Sequence, residues 1–378
     1  MNKHTIGFCL LIGWLLIGAK PSFAQTADLS DFVRRSGNQL TLNGKPFVFV
    51  GVNRDNAFTD NSANSCGDGG EYPELYLNTM FDNLKSTCNG ANTNMAMRVW
   101  AFQSYTNYNA TTKTVDFSQI DKVVDKAEKA GVRLIMTLEN QWGDCTKCIN
   151  NSGDCRKLNT WYKTGYKLWK KGVSGNNGYN YPLTYKEYVG KIVERYKDRK
   201  IIMMWQLMNE AESETASLGS DPTSMYNFTQ DMANYIKSID PNHLISVGTI
   251  GTENPGIEYE KLHSIASVDI LENHDYGKPI STNPSLHHSY VDGNIAIANK
   301  LNKPIFMGEG GIKKGQASSL ANRASMFDKK IKAYVKQGGD GYLIWSYTEG
   351  KLDPYYQSAP YDFNSTDPIC PVMKNISF

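Results

Sequence analysis

The chain has 378 residues, with 40 lysines and arginines against 38 aspartates and glutamates, and 40% of its residues are hydrophobic. A charge balance this close to neutral argues against nucleic acid or a membrane surface as the partner, because both select a basic face. The apolar content is enough for one large core, and no linker rich in Pro, Gly or Ser divides the chain.

The first residues are typical of a secretory signal. Lys3 precedes an apolar stretch, Ile6–Ala19, and a small-x-small pattern follows at Ser22-Phe23-Ala24. The stretch is shorter than the roughly 20 residues that span a bilayer. We predict cleavage after Ala24, which would leave one exported domain, residues 25–378, with 38 basic and 38 acidic residues because Lys3 and Lys20 are removed.

Eight short apolar runs follow along the mature chain, and most are continuous rather than alternating, as in parallel strands covered on both faces. They are residues 47–53, 93–100, 132–140, 201–210, 244–249, 268–277, 304–311 and 341–347. Before the first run, residues 32–46 with a turn at Asn43-Gly44 predict a hairpin that closes the bottom of the fold.

Segments with helical spacing lie between the runs. Ile120, Val123, Val124 and Ala127 form an apolar stripe that ends before Gly131. Thr184 with Glu187 predicts a capping box, and Asp221-Pro222 predicts a second helix start. Eight alternating units favour an α/β fold, a single-domain (β/α)8 TIM barrel.

Six of the seven cysteines remain after the signal, an even number that predicts disulfides in an oxidising compartment: Cys66, Cys88, Cys145, Cys148, Cys155 and Cys370. Three of them lie in a long insertion after the third strand, which we expect disulfides to pin. Cys145-x-x-Cys148 could also be a redox pair or half of a zinc site, but no second such pair and no nearby His completes a metal set. The sequons at Asn109, Asn150, Asn227, Asn364 and Asn375 would carry glycan if the source glycosylates exported proteins.

In this fold the active site lies where the strands end at their carboxyl side. Glu210 and Glu309 close the fourth and seventh runs. Hydrolysis of a glycosidic bond uses such a pair of carboxyl groups, about 5 Å apart in retaining enzymes and about 8 Å in inverting ones. Alone, Glu210 would be read as a surface carboxylate; with Asn209, Glu309 and the barrel, we predict catalysis.

Five motifs, "MRVWAF", "WQLMNE", "NHDYG", "MGEGG" and "LIWSY", stand in the order found in glycoside hydrolase family five, and the chain resembles its endo-β-1,4-mannanases over about residues 30–350. The resemblance implies that Glu210 is the acid/base and Glu309 the nucleophile. It also implies contacts with substrate or with these glutamates for Arg98, Trp100, Asn140, Asn209, His274, Tyr276 and Trp345. Asn140 stands where many relatives keep a His.

Among these residues, the resemblance implies that Arg98 keeps Glu309 ionised and Tyr276 orients it. Asn209 would hold the 2-hydroxyl of the sugar, and Trp345 would form the floor beneath it. Other carboxylates and aromatic residues of the sequence are rival candidates. We expect Glu139, Asp55 and Asp275 to position substrate or bind loops, Trp142 to stack on sugar, and Trp205 and Trp169 to be core, while Phe102 fits either loop packing or a subsite wall.

The sequence therefore predicts a secreted, extracellular endo-β-1,4-mannanase that works by a retaining mechanism, as a monomer, without metal or cofactor. Its partner would be a β-1,4-linked polysaccharide. A cellulase of the same family is the nearest alternative, and a barrel that binds carbohydrate without turnover is an alternative of another class.

Overall fold

The structure is a computed structural model that describes residues 27–55, 57–58, 74–90, 94–141, 161–170, 182–211, 222–251, 258–277, 286–349 and 360–378. The predicted signal segment lies outside these residues. So do Trp142, Asn150, Asp221 and four of the predicted disulfide cysteines, Cys66, Cys145, Cys148 and Cys155.

Eight buried parallel strands form the centre of the fold. They are β1 (Phe49–Asn53), β2 (Asn94–Trp100), β3 (Arg133–Thr137), β4 (Ile202–Gln206), β5 (Leu244–Ser246), β6 (Leu271–Asp275), β7 (Ile305–Gly310) and β8 (Gly341–Ile344). Their order across the sheet is β5-β4-β3-β2-β1-β8-β7-β6. An isolated parallel bridge between Ser246 and Ile270 joins the two outer strands, so the sheet closes on itself and the predicted barrel is confirmed.

Helices cover the outside of the barrel between the strands. They are α1 (Glu74–Asn83), α2 (Ser118–Ala130), α3 (Tyr166–Leu168), α4 (Tyr185–Tyr196), α5 (Pro222–Ile239), α6 (Tyr259–His263), α7 (Ser289–Leu301), α8 (Leu320–Lys336) and α9 (Ile369–Asn375). The predicted apolar stripe of α2 is buried, and Gly131 ends the helix in the left-handed conformation, with φ 73°. The capping box of Thr184 and Glu187 at the start of α4 is confirmed.

Residues 27–46 close the bottom of the barrel. The turn at Asn43-Gly44 is present, but a second turn at residues 37–38 makes the segment a three-stranded antiparallel meander, Arg34–Ser36, Gln39–Leu42 and Lys45–Pro46, rather than the predicted hairpin. Gly37, with φ 62°, permits that second turn. Leu40 of the meander and Phe47, the residue that follows it, pack in one apolar cluster with barrel residues such as Phe306.

Alternation along the strands sorts the barrel interior into layers, because every second side chain points inward. The lower layer is apolar and includes Ala96, Ile135, Met204 and Ile270. Two residues after each of these four, the chain places a buried polar group: Arg98, Thr137, Gln206 and Glu272. The polar layer therefore lies directly beneath the mouth of the barrel.

Two of the six cysteines predicted to form disulfides lie within the described residues. Cys88 is bonded to Cys370 and links a π-helical turn after α1, Leu84–Cys88, to α9 near the end of the chain. None of the helices in the described ranges is both long enough and apolar enough to cross a bilayer.

Candidate active site

Arg98 is the centre of the polar layer. Its guanidinium donates to Glu309 Oε1 at 2.7 Å, Asn209 Oδ1 at 2.6 Å and Gln206 Oε1 at 2.8 Å. A fourth bond, at 3.0 Å, reaches Asn53 at the end of β1. These partners come from β1, β4, β7 and the residues after β4, so one buried side chain fixes the relative positions of polar groups across the barrel.

Asn209 is held on both sides of its amide. Arg98 binds the oxygen, and Nδ2 donates to Asn140 Oδ1 at 3.0 Å. Asn140 and Asn209 also form a parallel bridge that continues the pairing of β3 and β4 past their ends. The Asn209 side chain is thereby fixed in orientation where it meets the cleft.

Glu309, on β7, is buried and receives donors on both oxygens. Arg98 binds Oε1, the hydroxyl of Tyr276 donates to Oε2 at 2.5 Å, and His274 Nδ1 lies 3.6 Å from Oε2. Burial raises the pKa of Glu309 above its usual value, against the lowering effects of His274 and Arg98. Arg98 lowers the pKa of Glu309, as expected from its charge, but burial has the larger effect.

Glu210 follows β4 in an uncommon backbone conformation. Its φ is 53°, in the left-handed region that costs a side chain about 1–2 kcal/mol. Hydrogen bonds of the neighbouring peptides hold it there, from Asn209 N to Glu139 O and from Ala211 N to Gly248 O. The turn directs Glu210 toward the cleft, where its side chain is 18% exposed.

The two candidate carboxyl groups face each other closely. An oxygen of Glu210, an oxygen of Glu309 and a ring nitrogen of His274 all lie within 4.8 Å of one another. That spacing fits the roughly 5 Å separation of retaining glycosidases and is too short for the water that inverting enzymes place between their carboxyl groups.

His274, on β6, lies buried between carboxylates. Its Nδ1 is 2.9 Å from Glu210 Oε1 and its Nε2 is 3.1 Å from Glu272 Oε1. Burial lowers the pKa of His274, but the charge of Glu309 and the bonds to Glu210 and Glu272 outweigh it and raise the pKa to about 10. One ligand atom each of Glu210, His274 and Glu309 lie close enough together to hold a metal ion, but a ring with both nitrogens protonated would offer such an ion no lone pair.

Above these groups lies a cleft of about 410 Å³. Its lining consists of Trp100, Asn209, Glu210, Tyr276, Glu309, Trp345 and Tyr361. Trp100 and Trp345 have ring centroids 6.4 Å apart, and Trp100 is backed by Phe102 at 5.1 Å. Aromatic walls around paired carboxyl groups suit a pyranose ring, whose C–H faces pack on such surfaces.

The predicted site residues occupy two levels. Trp100, Asn209, Glu210, Tyr276, Glu309 and Trp345 line the cleft. Arg98, Asn140 and His274, predicted to contact substrate or the two glutamates, are at most 1% exposed and lie beneath it. These three side chains contact Glu309, Asn209 and Glu210 from below and hold them in position.

Three further candidates, Asp275, Glu139 and Phe102, do not line the cleft. Asp275 is buried against Lys330 and His287, at 2.7 and 2.8 Å. Glu139 is buried outside the cleft lining, where burial raises its pKa to about 8. Phe102 is fully buried behind Trp100, so it belongs to loop packing.

The two tryptophans predicted as core differ in burial. Trp205 is fully buried, and Trp169 is half-buried against the core. Asp55 lies two residues after the end of β1. Its carbonyl oxygen accepts a hydrogen bond from Trp100 N at 3.1 Å.

Tyr361 lines the cleft but was not predicted, because it follows no strand and no motif marks it. It is packed edge-on against Tyr276, with ring centroids 5.1 Å apart. The buried Arg323 of α8 donates to the carbonyl oxygens of Tyr361, Asp362 and Ile312. Arg323 thereby ties the segment after β8 to the loop after β7 and fixes the position of this wall.

We expect Tyr361→Ala to raise KM on an oligosaccharide substrate more than it lowers kcat. Loss of a ring contact worth about 1–2 kcal/mol corresponds to roughly a 5- to 30-fold loss of kcat/KM. Tyr361→Phe keeps the ring and is the matched control, with kcat/KM close to that of the parent chain. Steady-state kinetics of the two variants measure the effect; equal losses in both would exclude ring packing as the cause.

A parallel barrel with two carboxyl groups facing each other across its mouth defines the class as a glycoside hydrolase of the barrel type. The chain belongs to the cellulase family, glycosyl hydrolase family 5, whose model matches residues 43–351. Family membership agrees with the resemblance drawn from the five sequence motifs.

Curated relatives carry mannanase names. Putative mannan endo-1,4-beta-mannosidase 4 of Arabidopsis thaliana is 27% identical, over 89% of this chain and 88% of its own length. Mannan endo-1,4-beta-mannosidase A of Aspergillus aculeatus is 25% identical, over 57% of this chain and 56% of its own.

Solved structures share the fold. The endo-1,4-beta-mannanase of Rhizomucor miehei superposes with a TM-score of 0.68 at 20% identity, covering 91% of this chain and 98% of that one. The endo-beta-1,4-mannanase of Thermotoga petrophila has a TM-score of 0.64 at 21% identity, covering 88% of this chain and 76% of that one.

Proposed function

We propose that the chain is an endo-β-1,4-mannanase that hydrolyses internal β-1,4-mannosidic bonds of mannan, glucomannan or galactomannan with retention of configuration. The observation that carries the mechanism is the approach of Glu210 and Glu309 to within 4.8 Å across an aromatic cleft. The mannanase names of the relatives support the choice of substrate.

In the first step, a carboxylate oxygen of Glu309 attacks the anomeric carbon while Glu210 gives its proton to the departing glycosidic oxygen. The C–O bond to the leaving sugar breaks as the bond to Glu309 forms. In the second step, Glu210 takes a proton from water, the water oxygen attacks the same carbon, and Glu309 leaves as a carboxylate. The two inversions together retain the configuration.

The surrounding side chains have separate tasks in this proposal. The fixed amide of Asn209 presents an N–H to the sugar 2-hydroxyl, an interaction that strengthens in the transition state. Tyr276 and Arg98 hold Glu309 in place for attack. Trp345 packs against the sugar at the cleavage point.

A cellulase is the second candidate, because the matching family model is itself described as a cellulase. The test is release of reducing ends from galactomannan, glucomannan, carboxymethylcellulose and xylan under one set of conditions. We expect galactomannan to be cut and carboxymethylcellulose to be left intact, with a rapid fall in viscosity that marks internal cleavage. The reverse preference would support the cellulase, and glycan binding with no turnover would support the noncatalytic alternative.

Export is also part of the proposal, with residues 1–24 as the signal, residues 25–378 as the catalytic domain and the extracellular space as its location. The disulfide Cys88–Cys370 supports it, because such bonds persist mainly in oxidising compartments. The N-terminal sequence of the protein recovered from culture medium tests it, and we expect the mature chain to begin at Gln25.

A further inference from the structure

Tyr276, whose hydroxyl donates to Glu309, lies just beyond the end of β6 and outside its pairing with β7. The last residue of β6 is Asp275, yet the Tyr276 hydroxyl lies 2.5 Å from Glu309 Oε2. A hydrogen bond is lost once donor and acceptor are more than about 3.5 Å apart, so a displacement of about 1 Å would break this one. The orientation of Glu309 therefore depends on the contacts that fix the peptides on either side of Tyr276.

Asp275 ties the backbone on both sides of Tyr276. Its carboxylate oxygen Oδ1 accepts a hydrogen bond from Gly277 N at 2.9 Å, and its carbonyl oxygen accepts one from Gly311 N, just after β7, at 3.0 Å. The Tyr276 ring lies directly over Gly311, because a Cβ atom added there would come within 2.2 Å of the ring atom Cδ1. The ring thus packs against the segment that follows Glu309.

Lys330, on α8, completes this arrangement from the outside of the barrel. Its Nζ lies 2.7 Å from Asp275 Oδ2 and donates to Gly277 O at 3.0 Å. One cation therefore binds the carboxylate before Tyr276 and the carbonyl group after it. The ring of His287, just before α7, contacts both partners, with Nδ1 2.8 Å from Asp275 Oδ2 and Nε2 3.1 Å from Lys330 O. All three side chains are fully buried.

General stability is the simpler explanation of a buried ion pair, but it accounts poorly for this one. A buried pair stabilises a fold little compared with apolar side chains of the same size, because both charges lose their hydration. The side chains of Asp275 and Lys330 both bind the peptide at Gly277, and neither lines the cleft. What the pair fixes is the place from which Tyr276 reaches Glu309.

We infer that Asp275 and Lys330 are positioning residues, which hold the Tyr276 hydroxyl against Glu309 and so orient that carboxylate for attack. The inference rests on the proposed role of Glu309 as the nucleophile. It connects the reaction centre to α8, a helix on the outside of the barrel, because Lys330 acts on the nucleophile through Asp275 and Tyr276 in turn.

The test is a double-mutant cycle between this pair and Tyr276. The variant Asp275→Asn/Lys330→Met removes both charges of the pair together, so neither is left without the other. We expect it to lower kcat on mannan by about 10- to 100-fold, as a misplacement of about 1 Å near the reacting atoms can do. When Tyr276→Phe has already removed the hydroxyl, the same two changes should lower kcat by less than about 3-fold, because they act through a group that is gone. Losses that multiply would overturn the inference.

Lys303→Met is the matched control, because Lys303 is a second buried lysine and lies at the other end of β7. Its Nζ donates to three carbonyl oxygens at the bottom of the barrel, those of His263, Ile265 and Val268. Its loss should lower the melting temperature, as the changes at Asp275 and Lys330 should, yet leave kcat unchanged where the chain is folded. An equal fall in kcat for both variants would contradict a specific role of the pair.

A crystal structure of Asp275→Asn/Lys330→Met measures the position of Tyr276 directly. We expect its hydroxyl to lie more than about 3.5 Å from the Glu309 carboxylate. A hydroxyl still bonded to Glu309 would refute the inference. Inactivity of the parent chain on every β-glycan would defeat the proposed function instead, and the position of Tyr276 could still be compared between the two structures.

If the double variant does not fold, His287→Phe takes its place in the cycle. The change removes one partner of Asp275 and keeps a ring beside Tyr334, whose centroid is 5.5 Å from that of His287. We expect a smaller loss of kcat, which Tyr276→Phe again absorbs. No loss at all, or a loss of the same size in the Tyr276→Phe background, would count against the positioning role.

Discussion

Glu309→Ala is expected to lower kcat on mannan by at least about 10⁴-fold while the chain remains folded, because the proposed mechanism needs the Glu309 carboxylate to form the covalent intermediate. Azide should restore part of the activity and yield a glycosyl azide of inverted configuration, since the anion can enter the space of the missing carboxylate. Kinetics with and without azide, and the anomeric configuration of the product by NMR, measure both effects.

Glu194→Ala is the control for Glu309→Ala. Glu194 lies on the outer surface, with 62% of its side chain exposed, and pairs only weakly in energetic terms with Lys197. Its loss should leave kcat unchanged. Circular dichroism of both variants checks the fold, and an azide product of retained configuration would contradict the nucleophile assignment.

Glu210→Ala is expected to lower kcat/KM on mannan by about 10²- to 10⁴-fold, the usual contribution of a positioned acid. The loss should be far smaller for the first step on a dinitrophenyl glycoside, where the leaving group departs without a proton. The second step still needs a base, so a burst of dinitrophenol followed by slow turnover should appear.

Glu210→Gln is the matched variant for Glu210→Ala, because it keeps the size of the side chain and lacks the acid. Both should show the same dependence on the leaving group. With Glu210→Ala, azide should give a product of retained configuration, because it attacks the intermediate from the side that the missing carboxyl group vacates. Full activity of either variant on mannan would show that another group is the acid.

The barrel could be predicted from the sequence because its strands are buried on both faces and therefore appear as continuous apolar runs. The ends of the strands were less predictable. The fourth run extends over residues 201–210, whereas β4 is Ile202–Gln206, since Leu207 and Met208 remain buried after the strand pairing ends. An apolar run predicts which residues are buried. It does not predict where strand pairing ends, because residues can remain buried beyond that point.

The predicted site residues come together because strand ends meet at one rim, but their depth could not be predicted. Whether Arg98 contacts substrate or lies beneath it depends on side-chain packing across four strands, which no local pattern encodes. Glu272 could have been noticed, since it stands two residues before His274 and so shares its face of β6. The position of Tyr361 depends on hydrogen bonds from Arg323, which is distant in the sequence, so no local pattern predicts that Tyr361 lines the cleft.

The bond between Cys88 and Cys370 makes most of the barrel a covalent ring. It spans 282 positions and encloses seven of the eight strands, β2 to β8. A protease that cuts one surface loop inside this ring opens it without dividing the molecule. Nicked enzyme would therefore run as a single species until it is reduced, so the intactness of a preparation from culture medium must be judged on reducing gels.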